Sequence, residues 1–280
     1  MEERIIKCGK YSLEIGKRTL VMGVVNVTPD SFSDGGQFFN AEKAIEHAKR
    51  LAKEGADIID IGGESTRPGS DSLTLEEEMR RVIPVIEGIS ERLEVPISID
   101  TYKSEIAKIA LNAGASMIND ISALRFDAKI ADIAVDYDVP LILMHMKGTP
   151  KNMQIDPTYD SVVNEIKEFL RERINFAVSK GVKRKSIIID PGIGFGKTTE
   201  HNYEIIRRLS ELKELDLPIL IGTSRKSFIG KTLDLDVNER LEGTLATITM
   251  SIINGADIVR VHDVKEVRRA ARMTDAIYRS

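Results

Sequence analysis

Gly55-Ala56-Asp57-Ile58, Gly114-Ala115-Ser116-Met117 and Gly255-Ala256-Asp257-Ile258 repeat one junction three times along the chain. At each, a charged amphipathic stretch ends at glycine and an Ile/Val-rich run begins. Val95-Pro96, Val139-Pro140 and Leu217-Pro218 mark the same junction with proline. At the first residue of a strand, proline forfeits no ladder donor that matters. The stretches before such junctions have helical periodicity. In residues 41–54, Ala44, Ile45, Ala48, Leu51 and Ala52 share one face, and Lys43, Glu46, Lys49 and Arg50 the other. Gly55 then suits the residue just past a helix end. The apolar runs are residues 20–28, 56–62, 96–100, 116–121, 140–145, 186–190, 218–222 and 256–262.

Eight strands, each followed by a helix, predict an α/β fold: a single (β/α)8 TIM barrel. A doubly wound open sheet is the competing arrangement. Residues 1–19 precede the first strand. Within them, residues 11–17 alternate like a small hairpin placed to close the bottom of the barrel. No Pro/Gly/Ser-rich linker or low-complexity tract interrupts the pattern. The expectation is one domain over 1–280, with an N-terminal hairpin in 1–19 and the barrel in 20–280.

Composition narrows the class without naming a function. Of the 280 residues, 42% are hydrophobic, enough for a sizeable core. Forty basic against 44 acidic side chains leave a net charge of −4, which argues against an electrostatic nucleic-acid binder. Aromatic residues are 5% with no Trp, so stacking platforms for single strands are scarce. The single cysteine, Cys8, excludes a disulfide framework and a cysteine-based zinc site. No apolar run approaches the roughly 20 residues that span a bilayer. Met1-Glu2-Glu3-Arg4 lacks the layout of a signal peptide. A soluble cytoplasmic protein is expected.

In a barrel, chemistry sits where the strands end. The runs deliver Asn26, Glu64, Asp100, Asn119 with Asp120, His145, Asp190, then Thr223 to Lys226, and finally Arg260 with His262. One Asp or Asn there is readily a helix N-cap. Eight polar contributions at one rim are not, because polar groups buried without partners are costly. Asp100, Asn119 and Asp190 suit a flat heterocycle bearing amino and ring N–H groups. Lys226, Arg260 and His262 suit phosphate or carboxylate. The long loops at 29–37 and 63–73 have the length of functional loops. Other motifs fail. The segment 192–198 resembles a P-loop, but Pro191 stands where its first glycine belongs. The four histidines lack zinc-ligand spacing, and no Gly-x-Ser-x-Gly elbow is present.

Five segments, NVTPDSFSDGG (26–36), ESTRPG (64–69), DPGIGFGK (190–197), SRKSF (224–228) and RVHDV (260–264), together resemble the dihydropteroate synthase family. Asp100-Thr101, residues 119–122 and His145-Met146 add to the resemblance, which runs from about Leu20 to the last helix. It implies a barrel enzyme, a transferase of folate biosynthesis. Such enzymes join 6-hydroxymethyl-7,8-dihydropterin diphosphate to p-aminobenzoate, giving 7,8-dihydropteroate and diphosphate. Members are commonly Mg²⁺-dependent homodimers and sulfonamide targets.

Roles follow from the resemblance. Asp100, Asn119, Asp190 and Lys226 would bind the pterin, with Met144, Ile121 and Phe195 lining its ring and Arg260 covering a face. For Ile121 and Met144, plain barrel core is the competing reading. Asn26, Arg260 and His262 would hold the diphosphate, with Asn26 also at Mg²⁺. Asp34 would stabilise a pterin cation, although a turn residue before Gly35-Gly36 is its other reading. Thr66, Arg67 and Pro68 would close over p-aminobenzoate, with Phe195 at its ring. Its carboxylate would meet Ser227, where a helix should begin. Asp34, Lys226, Arg260 and His262 thus form the expected catalytic set, acting by SN1-like loss of diphosphate. Two alternatives remain: a pterin-dependent methyltransferase of the same barrel family, and a non-catalytic pterin-binding protein.

Overall fold

The computed structural model describes residues 4–28, 37–65, 70 and 72–279. Strands β1 (Arg4–Cys8) and β2 (Tyr11–Ile15) pair antiparallel, Arg4 opposite Ile15 and Cys8 opposite Tyr11. The hairpin therefore starts earlier than the alternation of residues 11–17 suggests. Eight parallel strands follow: β3 (Leu20–Asn26), β4 (Ile58–Gly62), β5 (Ile97–Asp100), β6 (Met117–Asp120), β7 (Leu141–Met144), β8 (Ile187–Asp190), β9 (Leu220–Ile221) and β10 (Ile258–Val261). Their order is β8-β7-β6-β5-β4-β3-β10-β9. A parallel bridge between Ile189 and Ile219 joins β8 to the approach of β9 and closes the ring.

The helices are α1 (Gln37–Lys53), α2 (Leu75–Ser90), α3 (Ser104–Asn112), α4 (Lys129–Asp136), α5 (Val162–Ser179), α6 (Thr199–Arg207), α7 (Ser227–Leu233), α8 (Leu241–Ile253) and α9 (Val264–Tyr278). The described residues thus hold nine helices where one per strand gives eight. The extra one is the short α7, ahead of α8 in the same connection.

The repeated junction has a structural cause. Gly55, Gly114 and Gly255 all have φ above +100°, which a side chain resists, and each reverses the chain from helix to strand. The aspartates of two copies then serve neighbouring strands. Asp57 accepts from the Val21 backbone N–H at 2.9 Å and takes both ends of the Arg18 fork. Asp257 accepts from Ile219 N–H at 2.9 Å.

Period-two alternation splits the strand residues between two cores. One set packs against the helices, Ile59 and Ile61 on β4 among them. The other fills the barrel's lower half: Leu20, Met22, Ile58, Met117, Ile142, Ile188, Leu220 and Ile258. Ile6, Cys8, Leu13 and Ile15 of the hairpin belong to that same cluster and cap it. The hairpin closes the bottom of the barrel, as expected. The charged residues that enter the interior, Asp60, Asp100, Asp190 and Arg260 among them, stand above this layer.

Candidate active site

At the C-terminal rim a cavity opens. Of the expected site residues, Asp100, Asn119, Ile121, Met144, Asp190, Phe195, Lys226, Arg260 and His262 line it together. Val24, Gly192, Ile193, Gly222 and Ser224 complete the wall. Asn26 ends β3 half-buried, on the same inward-facing alternation as Met22 and Val24, but is not part of that wall. Ser227 is the first residue of α7, as expected, yet it is exposed and also outside the wall. Asp34, Thr66, Arg67 and Pro68 lie outside the described residues.

The polar wall is built on β5, β6 and β8. Asp100 and Asn119 are register partners on adjacent strands. The Asn119 amide donates from Nδ2 to Asp60 Oδ2 at 3.1 Å, which leaves its carbonyl oxygen as the group offered to a ligand. Asp190 accepts from Gly192 N–H at 2.7 Å through Oδ1, leaving its other oxygen for the cavity. Burial pushes the Asp100 carboxyl up to about 7 and Asp190 up to about 6. A ligand that donates hydrogen bonds to these groups returns both to their charged form.

The cations face them. Arg260 reaches from β10 and donates from Nε to Asp60 Oδ2 and from Nη2 to Asp100 Oδ2, each at 2.6 Å. Burial opposes its charge, but Asp60 and Asp100 outweigh that and hold the guanidinium protonated. Lys226 places its ammonium 4.2 Å from the centre of the Phe195 ring. Burial and the nearby Arg260 lower it to about 8. His262 shares a hydrogen bond between Nδ1 and Ser224 Oγ at 3.1 Å. Burial and Arg260 depress it to about 4, so it is neutral at pH 7.

Ile121, Met144 and Phe195 pack with Met146 and Met153 in a small apolar cluster, against which Tyr102 also packs. They are core and cavity lining at once. The Phe195 carbonyl accepts from Lys197 Nζ at 2.9 Å, and that buried amine also lies 3.0 Å from His145 Nδ1. Gly192 has φ +68°, and a Cβ there would stand 1.9 Å from the His145 carbonyl oxygen. The loop after β8 accepts only glycine at that point.

Two rim residues point elsewhere. Asp120 follows inward-facing Asn119, and its carboxylate accepts from Ser122 and Leu124 N–H, capping the next turn. His145 follows inward-facing Met144, and its ring meets Phe169 edge-on at 4.8 Å. Glu64 does not enter the cavity wall either. It accepts from Tyr102 OH, Lys103 Nζ and Leu73 N–H, and so ties the two ends of the loop after β4. The polar residue that β4 sends inward is Asp60, which sequence reasoning missed. Its signal was available: Ile58-Ile59-Asp60-Ile61 interrupts an apolar run as Asp100 and Asp190 do. Ser224, read from the sequence as a rim residue, had been given no role there.

A parallel barrel with a heterocycle-sized polar wall opposite a cationic one defines a class, and the sequence agrees. The chain belongs to the pterin binding enzyme family, whose model matches residues 22–262. Its relatives include several dihydropteroate synthases. The enzyme of that name from Clostridium beijerinckii is 50% identical over 275 residues, covering 98% of this chain and 100% of the relative. The Xanthomonas albilineans dihydropteroate synthase with 4-aminobenzoic acid superposes with a TM-score of 0.93 at 44% identity, over 99% of this chain and 98% of the other. The same organism's enzyme in complex with 7,8-dihydropteroate gives 0.89 at 42% identity, over 98% of each chain.

Proposed function

We propose that the protein joins 6-hydroxymethyl-7,8-dihydropterin diphosphate to p-aminobenzoate, releasing diphosphate and forming 7,8-dihydropteroate. The carrying observation is the division of one cavity. Acceptors on β5, β6 and β8 face a heterocycle, and the cations of β10 and the loop after β9 stand where an anionic leaving group would lie.

Asp100, Asp190 and the Asn119 carbonyl accept from the pterin's amino and ring N–H groups. Lys226 donates to its acceptor atoms, and Ile121, Met144 and Phe195 flank the ring. The Arg260 guanidinium, edge-bound by Asp60 and Asp100, presents its face and its remaining nitrogen to the pterin and the diphosphate. His262 joins the anion site. The C–O bond to diphosphate breaks with its electron pair leaving on oxygen. The electron-rich dihydropterin spreads the resulting positive charge, and Asp34 stabilises it. The aniline nitrogen then attacks the methylene carbon, forms the C–N bond and loses a proton. Thr66, Arg67 and Pro68 cover p-aminobenzoate, with Phe195 at its ring and the Ser227 end of α7 at its carboxylate. Water exclusion keeps the cation from hydrolysis.

Mg²⁺ fits the donor set. The described residues hold no group of three His, Cys, Asp or Glu side chains able to bind a metal. One Asn26 carbonyl at the rim suffices for a hard cation that keeps waters and substrate phosphate oxygens. Held there by Asn26, Mg²⁺ would supply charge neutralisation at the leaving diphosphate.

A homodimer is supported by Met250 on α8 and by Met273 and Ile277 on α9, all exposed on helices that pack together. A cytoplasmic location is supported by the buried free thiol of Cys8. It also agrees with the described residues containing no helix long and apolar enough to cross a membrane.

Diphosphate release measured with and without p-aminobenzoate tests the reaction. Turnover to dihydropteroate is expected. Methyl transfer from a methylated pterin, or pterin binding without any turnover, would replace this reading with one of its alternatives. Arg67→Ala should impair p-aminobenzoate use more than pterin binding, and equal losses would overturn the role given to that loop.

A further inference from the structure

Asp60 sits in the middle of β4 with 0% of its surface exposed, so it touches nothing bound in the cavity. One of its oxygens carries two site residues. Oδ2 accepts from Arg260 Nε at 2.6 Å and from Asn119 Nδ2 at 3.1 Å. The other oxygen, Oδ1, has no hydrogen-bond partner among the described residues. A half-satisfied carboxylate in a barrel interior is unfavourable, and an apolar side chain of similar volume often packs as well or better. Its register neighbour on β3 is such a residue, Val24.

The guanidinium spans two levels of the barrel. Gly62 on β4 is level with Asp100 on β5, so Asp60 lies one inward position below Asp100. Arg260 is gripped from below by Asp60 and from above by Asp100. The lower grip is on a different nitrogen from the upper one. When a pterin N–H takes over the Asp100 carboxylate, Nε remains anchored. The same Asp60 oxygen fixes which end of the Asn119 amide faces the ligand.

We propose that Asp60 is a positioning residue that sets the Arg260 guanidinium and the Asn119 carbonyl against the pterin together. The inference rests on the reaction proposed above. It concerns a residue that acts only through two others, and it predicts a defect confined to one of the two substrates.

Asp60→Asn keeps the volume and removes the shared charged acceptor. The kcat/KM for the pterin diphosphate should fall about 100-fold, the scale set by small misplacements of a reacting array. The KM for p-aminobenzoate should stay within about twofold. Calorimetric titration with 6-hydroxymethylpterin, which needs no turnover, should show the same loss. A pH series adds a readout that packing alone does not move. Asp100 is raised by burial, and Asp60, Glu78 and Asp120 add to this while Arg260 opposes it. Lys226 and Asp190 face it across the cavity. Removing the Asp60 charge should move the acid limb of hydroxymethylpterin affinity to lower pH.

A double-mutant cycle with Arg260→Lys should be non-additive. Unchanged pterin affinity in Asp60→Asn, equal loss for both substrates, or strict additivity with Arg260→Lys would overturn the proposal. Wild-type protein that binds hydroxymethylpterin but makes no dihydropteroate would sink the reaction reading alone, and the binding arm would still decide on Asp60.

Discussion

Asp190→Asn should make the unliganded protein more stable and a worse pterin binder. The buried carboxyl titrates at about 6 instead of its ordinary 3.8. That displacement corresponds to about 3 kcal/mol by which ionising Asp190 weakens the folded state. The sign follows from the folded value lying above the unfolded one. Asp190's contribution is intact below pH 4, declines as pH rises toward 6 and is lost above it. The amide can still accept from Gly192 N–H, and its NH₂ faces the cavity where the second oxygen stood. At roughly 2–4 °C per kcal/mol for a chain of this size, the variant should melt several degrees above wild type at pH 7.5. Near pH 4 the difference should vanish. Hydroxymethylpterin should bind about 10- to 100-fold more weakly, because a charged acceptor is replaced by donors facing donors. Paired melting curves at the two pH values and one calorimetric titration check both halves. A lower melting temperature at pH 7.5, or unchanged pterin affinity, would refute the reasoning.

Wild-type affinity for hydroxymethylpterin should drop as pH falls through 7 toward 6, since Asp100 and Asp190 take up protons there, lose their charge and each turn one acceptor oxygen into a donor; a flat titration series from pH 5 to 8 would contradict it. Diphosphate binding at pH 6–7 should draw a proton onto His262, which is neutral in the unliganded site, and calorimetry in buffers of different ionisation enthalpy should register net uptake. Leu13→Ala in the hairpin should cost about 2–5 kcal/mol of stability yet leave both KM values unchanged, because Leu13 packs only in the floor of the barrel.

The eight strands were legible because their apolar runs and junctions repeat. Their upper ends were less so. The run at 20–28 carries on through β-branched Val27 and Thr28, and that at 140–145 through His145, whereas β3 stops at Asn26 and β7 at Met144. At the rim, side chains turn to helices and loops while composition continues unchanged. The extra helix α7 spans seven residues, too few to show a period. Most cavity residues were recoverable, because an acid at the end of an Ile-rich run is conspicuous. Alternation decided the rest: Asn119 faces in and Asp120 out, Met144 in and His145 out. Asp60 escaped notice because the strand-end rule looked beyond Gly62 to Glu64. Its importance comes from a contact 200 residues away in the chain, which no local pattern encodes.

The plugged floor also settles how the molecule can be handled. Arg4 bonds to Asp216 at the approach to β9, and Arg279 donates to the Gly16 carbonyl at 2.9 Å, so the first and last described residues both lie at the sealed end. The mouth of the cavity is at the opposite pole. Tethering the protein to a biosensor chip or fusing it to another domain through either of these ends leaves the mouth facing outward. An immobilised sample should therefore report ligand affinities close to those in free solution.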